Sequence, residues 1–293
     1  MVLLNSCRFL ASKPPGSFSM LASLIALAIF SEPKFPDLRA LLVTGGCCHD
    51  YETQKLIITE GTAARARIEW VVVHQGGSST ASKIPLYEKA DWYKGFDIVI
   101  HNECFSDAKD PKWTETIVKP HRDGLPGVLI HCGMHCYRDG TGEWFKFCGV
   151  TSHRHGAHYP FEVVPTRAAG KAHPALAKFP ETWKTAKGEL YQVVAQGENC
   201  IPLATAKSRE TKNDEVCVWT NTFGKGKVFG TTIGHYNEEL ADPVFLDLLT
   251  RGMLWACDKP ADQYLKPFDP AKTRFRWEKS TDTKEPPKAA PAK

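Results

Sequence analysis

The feature that most constrains the fold is a series of short, largely apolar runs separated by polar or helical segments. Four such runs lie in the first half of the chain: Arg39–Thr44, Ile68–Val73, Phe96–His101 and Gly127–His131. Because they lack a regular alternation of apolar and polar residues, they are typical of strands that are buried on both faces. Helices are predicted at Gln54–Arg67 and at Pro111–His121, the second with proline in its first turn. We therefore predict an α/β fold with a mostly parallel sheet flanked by helices.

The second half has more strands and fewer helices. Strands are predicted at Tyr159–Val164, Leu190–Ala195, Ile201–Ala206, Glu215–Thr220 and Lys227–Ile233. The sequence FGKGK at 223–227 predicts a hairpin turn. A closing helix is predicted at Pro243–Cys257, where apolar residues recur at helical spacing. There is no internal repeat, so we predict one α/β domain over residues 37–258.

The two ends of the chain differ from this domain. Residues 21–30 (LASLIALAIF) form an apolar run of ten residues, whereas a membrane span needs about 20. The run is typical of a secretory signal, so residues 1–36 are predicted to be a signal or leader segment. A buried amphipathic segment and a start at Met20 remain open. Residues 259–293 are predicted to be a C-terminal extension, disordered after about residue 279. Export would make the protein periplasmic or secreted; without export it is cytoplasmic.

Charge excludes one class of partner. The chain has 37 Lys and Arg against 33 Asp and Glu, a net charge of +4. Three basic residues against one acidic lie in residues 1–36, and nine against six lie in residues 258–293, which leaves −1 for the segment between them. We therefore expect no nucleic-acid partner. We also expect no stable membrane span, and a homo-oligomer stays open.

The ten cysteines do not identify the cellular compartment. Their spacing is not that of a disulfide framework. Several lie in or beside apolar runs, which is typical of small buried residues.

Histidines follow several of the predicted strands. His49 and Asp50 follow the first strand, His101 with Asn102 and Glu103 the third, His131 the fourth and His235 the last. Ligands of parallel sheets bind beyond the carboxyl ends of the strands. A single histidine there is more often structural, but four at one edge favour a functional site.

The fourth strand ends in a sharp turn at 129–133 (LIHCG). A strand, a reactive side chain and a glycine two residues later describe a nucleophile elbow, which places His131 at the apex. Gly133 would let the following helix approach closely, and the next backbone N–H groups could bind an oxyanion. A plain strand-to-helix turn is the alternative.

A set of ordered motifs extends over most of the chain. They are GGCCHD (45–50), GVLIHCGMH (127–135), KAHPAL (171–176), GELY (188–191), GKGKVFGTTIGH (224–235) and DPVFLDLLTRGMLWA (242–256). In these motifs the chain resembles the ThuA-like family, which is named for trehalose utilisation. The resemblance covers residues 38–258. It implies a flavodoxin-like, class I glutamine amidotransferase-like fold and a role in carbohydrate metabolism.

The chain departs from glutamine amidotransferases at the elbow. Those enzymes place a cysteine at the apex, where this chain has His131, and Cys132 lies one residue further on. A glutaminase mechanism is therefore not expected. We predict instead that His131 and His235 are an acid/base pair and that Glu189 is the carboxylate that orients them or acts as a base. The substrate implied by the resemblance is a small-molecule carbohydrate, either a keto sugar or a glycoside. The enzyme would be a lyase, an isomerase or a hydrolase.

Further residues are predicted to contact the substrate: His49, Asp50, Tyr191, His153, Arg154 and His158. Asp50 has the alternative role of capping a helix before Thr53, and Tyr191 that of a packed aromatic residue. The last three belong to the His-rich segment 152–158 (SHRHGAH), which is predicted to be an active-site lid. His173, which precedes a proline, is predicted to form a turn.

Two other functions stay open. One is a metal-dependent hydrolase that uses the His-rich segment, with His131 and His135 at a spacing that suits two ligands on one helix. No glutamate follows His131 as a zincin motif requires, so we assign no metal ligands and expect no cofactor, with a divalent metal as the minority alternative. The other is a non-catalytic sugar-binding module. No G-x-G-x-x-G follows a strand, so no nicotinamide cofactor is expected.

Overall fold

The computed structural model describes residues 36–166 and 173–279. Its strands are β1 (Leu38–Gly46), β2 (Ile68–His74), β3 (Ile98–Cys104), β4 (Gly127–Ile130), β5 (Val150–Tyr159), β6 (Glu162–Pro165), β7 (Trp183–Lys184), β8 (Gly188–Gln196), β9 (Ile201–Lys207), β10 (Asp214–Phe223) and β11 (Gly226–Thr231). Its helices are α1 (Tyr51–Arg65), α2 (Pro111–Asp123), α3 (Glu143–Cys148), α4 (Asn237–Ala241), α5 (Pro243–Ala256) and α6 (Ala261–Tyr264). The predicted leader, the predicted disordered tail and part of the KAHPAL motif lie outside the described residues.

The strands form two sheets. The larger has nine strands in the order β2-β1-β3-β4-β11-β10-β9-β6-β7, and the smaller pairs β5 with β8. Strands β2, β1, β3, β4 and β11 are parallel, and the strands from β10 onwards are antiparallel. The order 2-1-3-4 at one end of the sheet is that of a flavodoxin-like fold. The prediction of a mixed α/β protein with a large, mostly parallel sheet is confirmed.

Capping residues fix where the main helices begin. The Asp50 carboxylate accepts a hydrogen bond from the Thr53 backbone N–H at 3.1 Å. The carboxylates of Asp110 and Asp242 do the same for α2 and α5, each directly before a proline. Such caps satisfy N–H groups that have no partner within the helix, and proline suits the first turn because it has no N–H. The predicted helices at 111–121 and 243–257 are confirmed within a few residues.

The third strand is longer than predicted. Its pairing with β1 continues until Cys104 lies opposite Gly46, so β3 ends three residues after the predicted end. His101, Asn102 and Glu103 are therefore buried inside the sheet and do not follow the strand.

The His-rich segment is also different from the prediction. Residues 152–158, predicted to be an active-site lid, belong to the strand β5, which pairs with β8. The predicted strand at 159–164 is interrupted at Pro160 and Phe161, between β5 and β6. Proline has no N–H to donate to a neighbouring strand, which explains the break.

Gly133 has a different neighbour from the one expected. A Cβ atom at this position would lie 2.5 Å from the carbonyl oxygen of His101. The glycine therefore permits close packing of the turn against β3, and a short 3₁₀ helix at His131–His135 follows β4.

Candidate active site

His131 stands at the apex of the turn that follows β4. Its φ angle is +48°, a left-handed conformation that is uncommon for a residue other than glycine and is often found at functional sites. Its ring is buried, and Nδ1 lies 2.6 Å from the Thr232 carbonyl oxygen. Because a carbonyl can only accept, Nδ1 carries the hydrogen and Nε2 points into the site.

Glu189, on β8, is surrounded by imidazole rings. Its side chain is only 5% exposed. One carboxylate oxygen lies 3.3 Å from His131 Nε2. The other lies 3.2 Å from His235 Nδ1, 2.8 Å from His158 Nε2 and 3.5 Å from His155 Nε2. One carboxylate therefore contacts four histidines that come from three separate parts of the chain.

Two further residues complete this site. His49 Nε2 lies 3.2 Å from His235 Nδ1, and the Tyr191 hydroxyl lies 3.2 Å from His131 Nε2. We use the name Glu189 cluster for the inner residues His49, His131, Glu189, Tyr191 and His235. His155 and His158, which are more exposed, are the rim histidines.

Charge in the Glu189 cluster is set by burial and by contacts between its members. Burial acts to raise the pKa of Glu189, but its contacts with His131 and His235 outweigh this effect and hold the pKa well below its usual value. Burial lowers the pKa of His49 well below its usual value, and the neighbouring histidines add to this effect. Burial also lowers the pKa of His131, although contact with Glu189 opposes the shift. The site thus holds an ionised carboxylate beside two histidines, His49 and His131, whose neutral form is favoured by burial.

Irregular strand pairing places both rim histidines on the same side of β5. Residues three apart on a regular strand point to opposite faces. Here His155 lies opposite Tyr191 and His158 lies opposite Glu189, and the register shifts between the two pairs. Such a bulge redirects side chains, and both rings reach the Glu189 carboxylate.

The structure separates the other predicted site residues from this cluster. Asp50 caps α1 and also accepts a hydrogen bond from the Asn237 side chain at 2.8 Å. His153 lies against the Phe145 ring, and Arg154 is exposed. His173 accepts the Ala175 backbone N–H at 3.2 Å, so it forms a turn.

His101 faces away from the Glu189 cluster. Its Nδ1 lies 2.8 Å from Glu103 and its Nε2 lies 3.1 Å from His121 of α2. All three side chains are buried. Three of the four histidines predicted at the strand ends therefore converge, and the fourth belongs to a separate buried network.

Several residues that support the cluster were not predicted from the sequence. The Tyr51 hydroxyl lies 3.0 Å from His49 Nδ1 and donates to the Cys47 carbonyl. The Tyr236 hydroxyl lies 2.6 Å from His158 Nδ1, and Glu239 accepts the backbone N–H of His235 at 3.0 Å. Each lies within four residues of a predicted site histidine or directly contacts one, but nothing in the sequence distinguishes them from neighbouring polar residues.

The cysteines divide into two groups. Disulfide bonds join Cys47 to Cys48 and Cys104 to Cys132, at the same edge of the sheet as the cluster. The five free cysteines of the described residues are Cys136, Cys148, Cys200, Cys217 and Cys257. Three of these five are buried, as small apolar residues would be.

The fold and the site together define an α/β protein with a glutamine amidotransferase-like fold and a histidine at the apex of the turn after β4. The family model described as ThuA, trehalose utilisation, matches residues 39–256. The chain belongs to the ThuA family. Its family indicates a carbohydrate-related role. A search of the curated proteins finds no match.

Solved structures share the fold at low sequence identity. A protein from Parabacteroides merdae ATCC 43184 described as ThuA-like is 18% identical, with a TM-score of 0.59 over 76% of this chain and 91% of that chain. A second one, from Bacteroides uniformis ATCC 8492, is 16% identical, with a TM-score of 0.56 over 77% and 94%. A protein from Thermoplasma acidophilum described as part of a GMP synthase is 10% identical, with a TM-score of 0.50 over 76% and 96%. These likenesses establish the fold.

Within residues 36–166 and 173–279, no helix has the length and apolar character that crossing a membrane requires.

Proposed function

We propose that the protein is an enzyme that transfers protons next to a carbonyl group of a carbohydrate, at the Glu189 cluster. The observation that carries the proposal is the contact of four imidazoles with one buried carboxylate. The family supports the carbohydrate class. A keto sugar or a keto-glycoside is the substrate form that this chemistry suits, because a carbonyl acidifies the adjacent C–H.

The arrangement provides both a base and an acid. A neutral imidazole can remove a proton from carbon, and a second imidazole can deliver a proton to oxygen or to carbon. The rim histidines, 35% exposed, lie where a substrate would enter. Glu189 would hold the rings in position and stabilise the positive charge that forms when one of them takes up a proton. Isomerisation, elimination and hydration all use these steps.

The test is hydrogen exchange on a panel of keto sugars and keto-glycosides in heavy water, followed by NMR. We expect wild-type protein to introduce deuterium at the carbon next to the carbonyl. We expect Glu189→Gln to slow this exchange by about 100-fold or more, the range typical of general acid/base catalysis. His153→Ala, which changes a histidine of the same strand outside the cluster, is the matched control and should keep full activity.

Two results would contradict the proposal. The first is full exchange activity in a folded Glu189→Gln protein, which would place the chemistry elsewhere. The second is saturable sugar binding by wild-type protein without turnover of any substrate, which would favour a sugar-binding module.

A further inference from the structure

We propose that the Glu189 cluster binds one divalent transition-metal ion. Its four ligands are His49, His131, Glu189 and His235. One side-chain nitrogen or oxygen of each lies within 4.8 Å of the others, close enough for a single ion to contact all four. The metal site extends the proposed function, because the ion would polarise the carbonyl or hydroxyl groups of the same substrate. The choice of this site rests on the proposed function.

Hydrogen bonds outside the cluster point two imidazole lone pairs inward. His131 Nδ1–H donates to the Thr232 carbonyl, so Nε2 carries the lone pair. The Tyr51 hydroxyl donates its hydrogen to the Cys47 carbonyl and therefore accepts from His49 Nδ1–H. His49 Nε2 then also carries its lone pair. Metal-binding histidines typically donate their second ring N–H to a carbonyl, carboxylate or similar acceptor in this way.

The inward atoms are mostly hydrogen-bond acceptors that face one another. The lone pair of His131 Nε2 lies 3.3 Å from a Glu189 oxygen, and that of His49 Nε2 lies 3.2 Å from His235 Nδ1. Within the cluster, two groups can donate a hydrogen bond to these acceptors: the Tyr191 hydroxyl and one ring N–H of His235. A cation would satisfy every acceptor at once, since each ligand would direct a lone pair at it.

The donor set indicates which kind of ion fits. Three imidazole nitrogens and one carboxylate oxygen suit Zn²⁺ or another divalent first-row metal, whereas Ca²⁺ and Mg²⁺ prefer oxygen ligands. The single carboxylate is buried, and a divalent ion would compensate its charge.

The rim histidines form a competing ligand set with Glu189. This set offers three ligands, whereas the inner residues offer four. Its two histidines are also more exposed, at 35% each, than His131 at 3% and His235 at 7%. With the ion bound to the inner residues, His131 and His235 would serve as ligands, and proton transfer would fall to the rim histidines.

The experiment uses the full chain without a polyhistidine tag. The protein is stripped with a chelator and titrated with Zn²⁺ by calorimetry and with Co²⁺ by visible absorption. We expect one equivalent of each metal. His49→Ala and His235→Ala should each weaken Zn²⁺ binding by more than about 100-fold, beyond the roughly 10–100-fold cost of a lost outer-shell contact. Tyr51→Phe, which removes only such a contact, should weaken it within that smaller range.

The double variant His155→Ala/His158→Ala is the matched control, because it removes two histidines near Glu189 and should keep one equivalent of tight binding. Circular dichroism and thermal unfolding identify any variant that fails to fold. If His49→Ala does not fold, Tyr51→Phe carries the test.

Three results would overturn the assignment: no stoichiometric binding by wild-type protein, loss of binding only in the rim variant, or a thiolate-to-cobalt charge-transfer band that places the ion on cysteines. Metal binding and carbohydrate turnover are measured separately. Metal binding without turnover of any substrate would defeat the proposed function alone. Turnover by a protein that binds no metal would defeat the metal site alone.

Discussion

Glu239 provides a quantitative test of how burial controls charge beside the site. Its carboxyl group accepts the backbone N–H of His235 at 3.0 Å and that of Tyr236 at 3.3 Å, while its other oxygen is buried without a partner. Burial raises the pKa of Glu239 to about 8, although these backbone hydrogen bonds act to lower it. The group is therefore protonated in the folded protein at neutral pH and ionised in the unfolded chain.

This difference makes the stability of the protein depend on pH. The pKa rises from 4.5 in the unfolded chain to about 8 in the folded protein, so folding takes up a proton between these values. The stabilisation is fully present below about pH 4.5 and is lost as pH rises through about 8. Each pKa unit corresponds to about 1.4 kcal/mol. Between about pH 5 and pH 8 the free energy of unfolding should therefore fall by about 3–4 kcal/mol relative to a residue that cannot ionise.

Glu239→Gln is the perturbation that removes this ionisation. Its amide nitrogen would occupy the position of the oxygen that has no hydrogen-bond partner. This lowers the free energy of unfolding by an amount that is the same at every pH. Urea unfolding of both proteins from about pH 5 to pH 8 measures the difference in free energy of unfolding. Glu238→Gln, which changes an exposed neighbour on α4, is the control and should follow the wild type. A constant difference between wild type and Glu239→Gln across this range would refute the reasoning.

Two further substitutions test how the site is supported. In Gly133→Ala the new Cβ would lie 2.5 Å from the His101 carbonyl oxygen. We therefore expect urea unfolding to show that the free energy of unfolding falls by about 1–3 kcal/mol, and we expect activity to fall because the turn that carries His131 shifts. Unchanged stability would mean that the contact is easily relieved. In Asp50→Ala the helix cap is lost, which should lower the free energy of unfolding by about 1 kcal/mol. KM should stay unchanged, because both carboxylate oxygens of Asp50 already have protein partners. A tenfold rise in KM would instead support the predicted substrate contact.

The parallel sheet could be predicted because its strands are apolar runs that end in recognisable ways. Gly45 and Gly46 end the first run and the elbow motif ends the fourth, so the carboxyl edge could be located. The third run is not followed by a glycine pair or an elbow motif, so its end could not be located. Its polar residues His101, Asn102 and Glu103 look like the start of a loop, but they are buried by pairing with β1 and by contacts to α2. Only the three-dimensional structure reveals that His101 bonds to Glu103 and His121 while Asn102 bonds to Thr44 and Gln54.

The contribution of the His-rich segment could be predicted only in part. Its composition indicates a functional segment, and the placement of Glu189 and Tyr191 two residues apart predicts that they share one face, as they do. Which of its three histidines reach Glu189 depends on the register shifts between β5 and β8. No local sequence pattern predicts this bulge in the way that glycine predicts a turn. The sequence therefore could not show that His155, and not His153, reaches Glu189.

The origin of each residue shows which part of the fold supplies each group of the site. His49, His131 and His235 follow β1, β4 and β11, whose carboxyl ends form the ligand-binding edge of the parallel sheet. Glu189 and the rim histidines come from the separate two-stranded sheet. That sheet supplies the only carboxylate among the inner residues. A change in the β5–β8 pair therefore alters the charge, the proton donors and the entrance of the site while the capped helices and the parallel sheet stay intact.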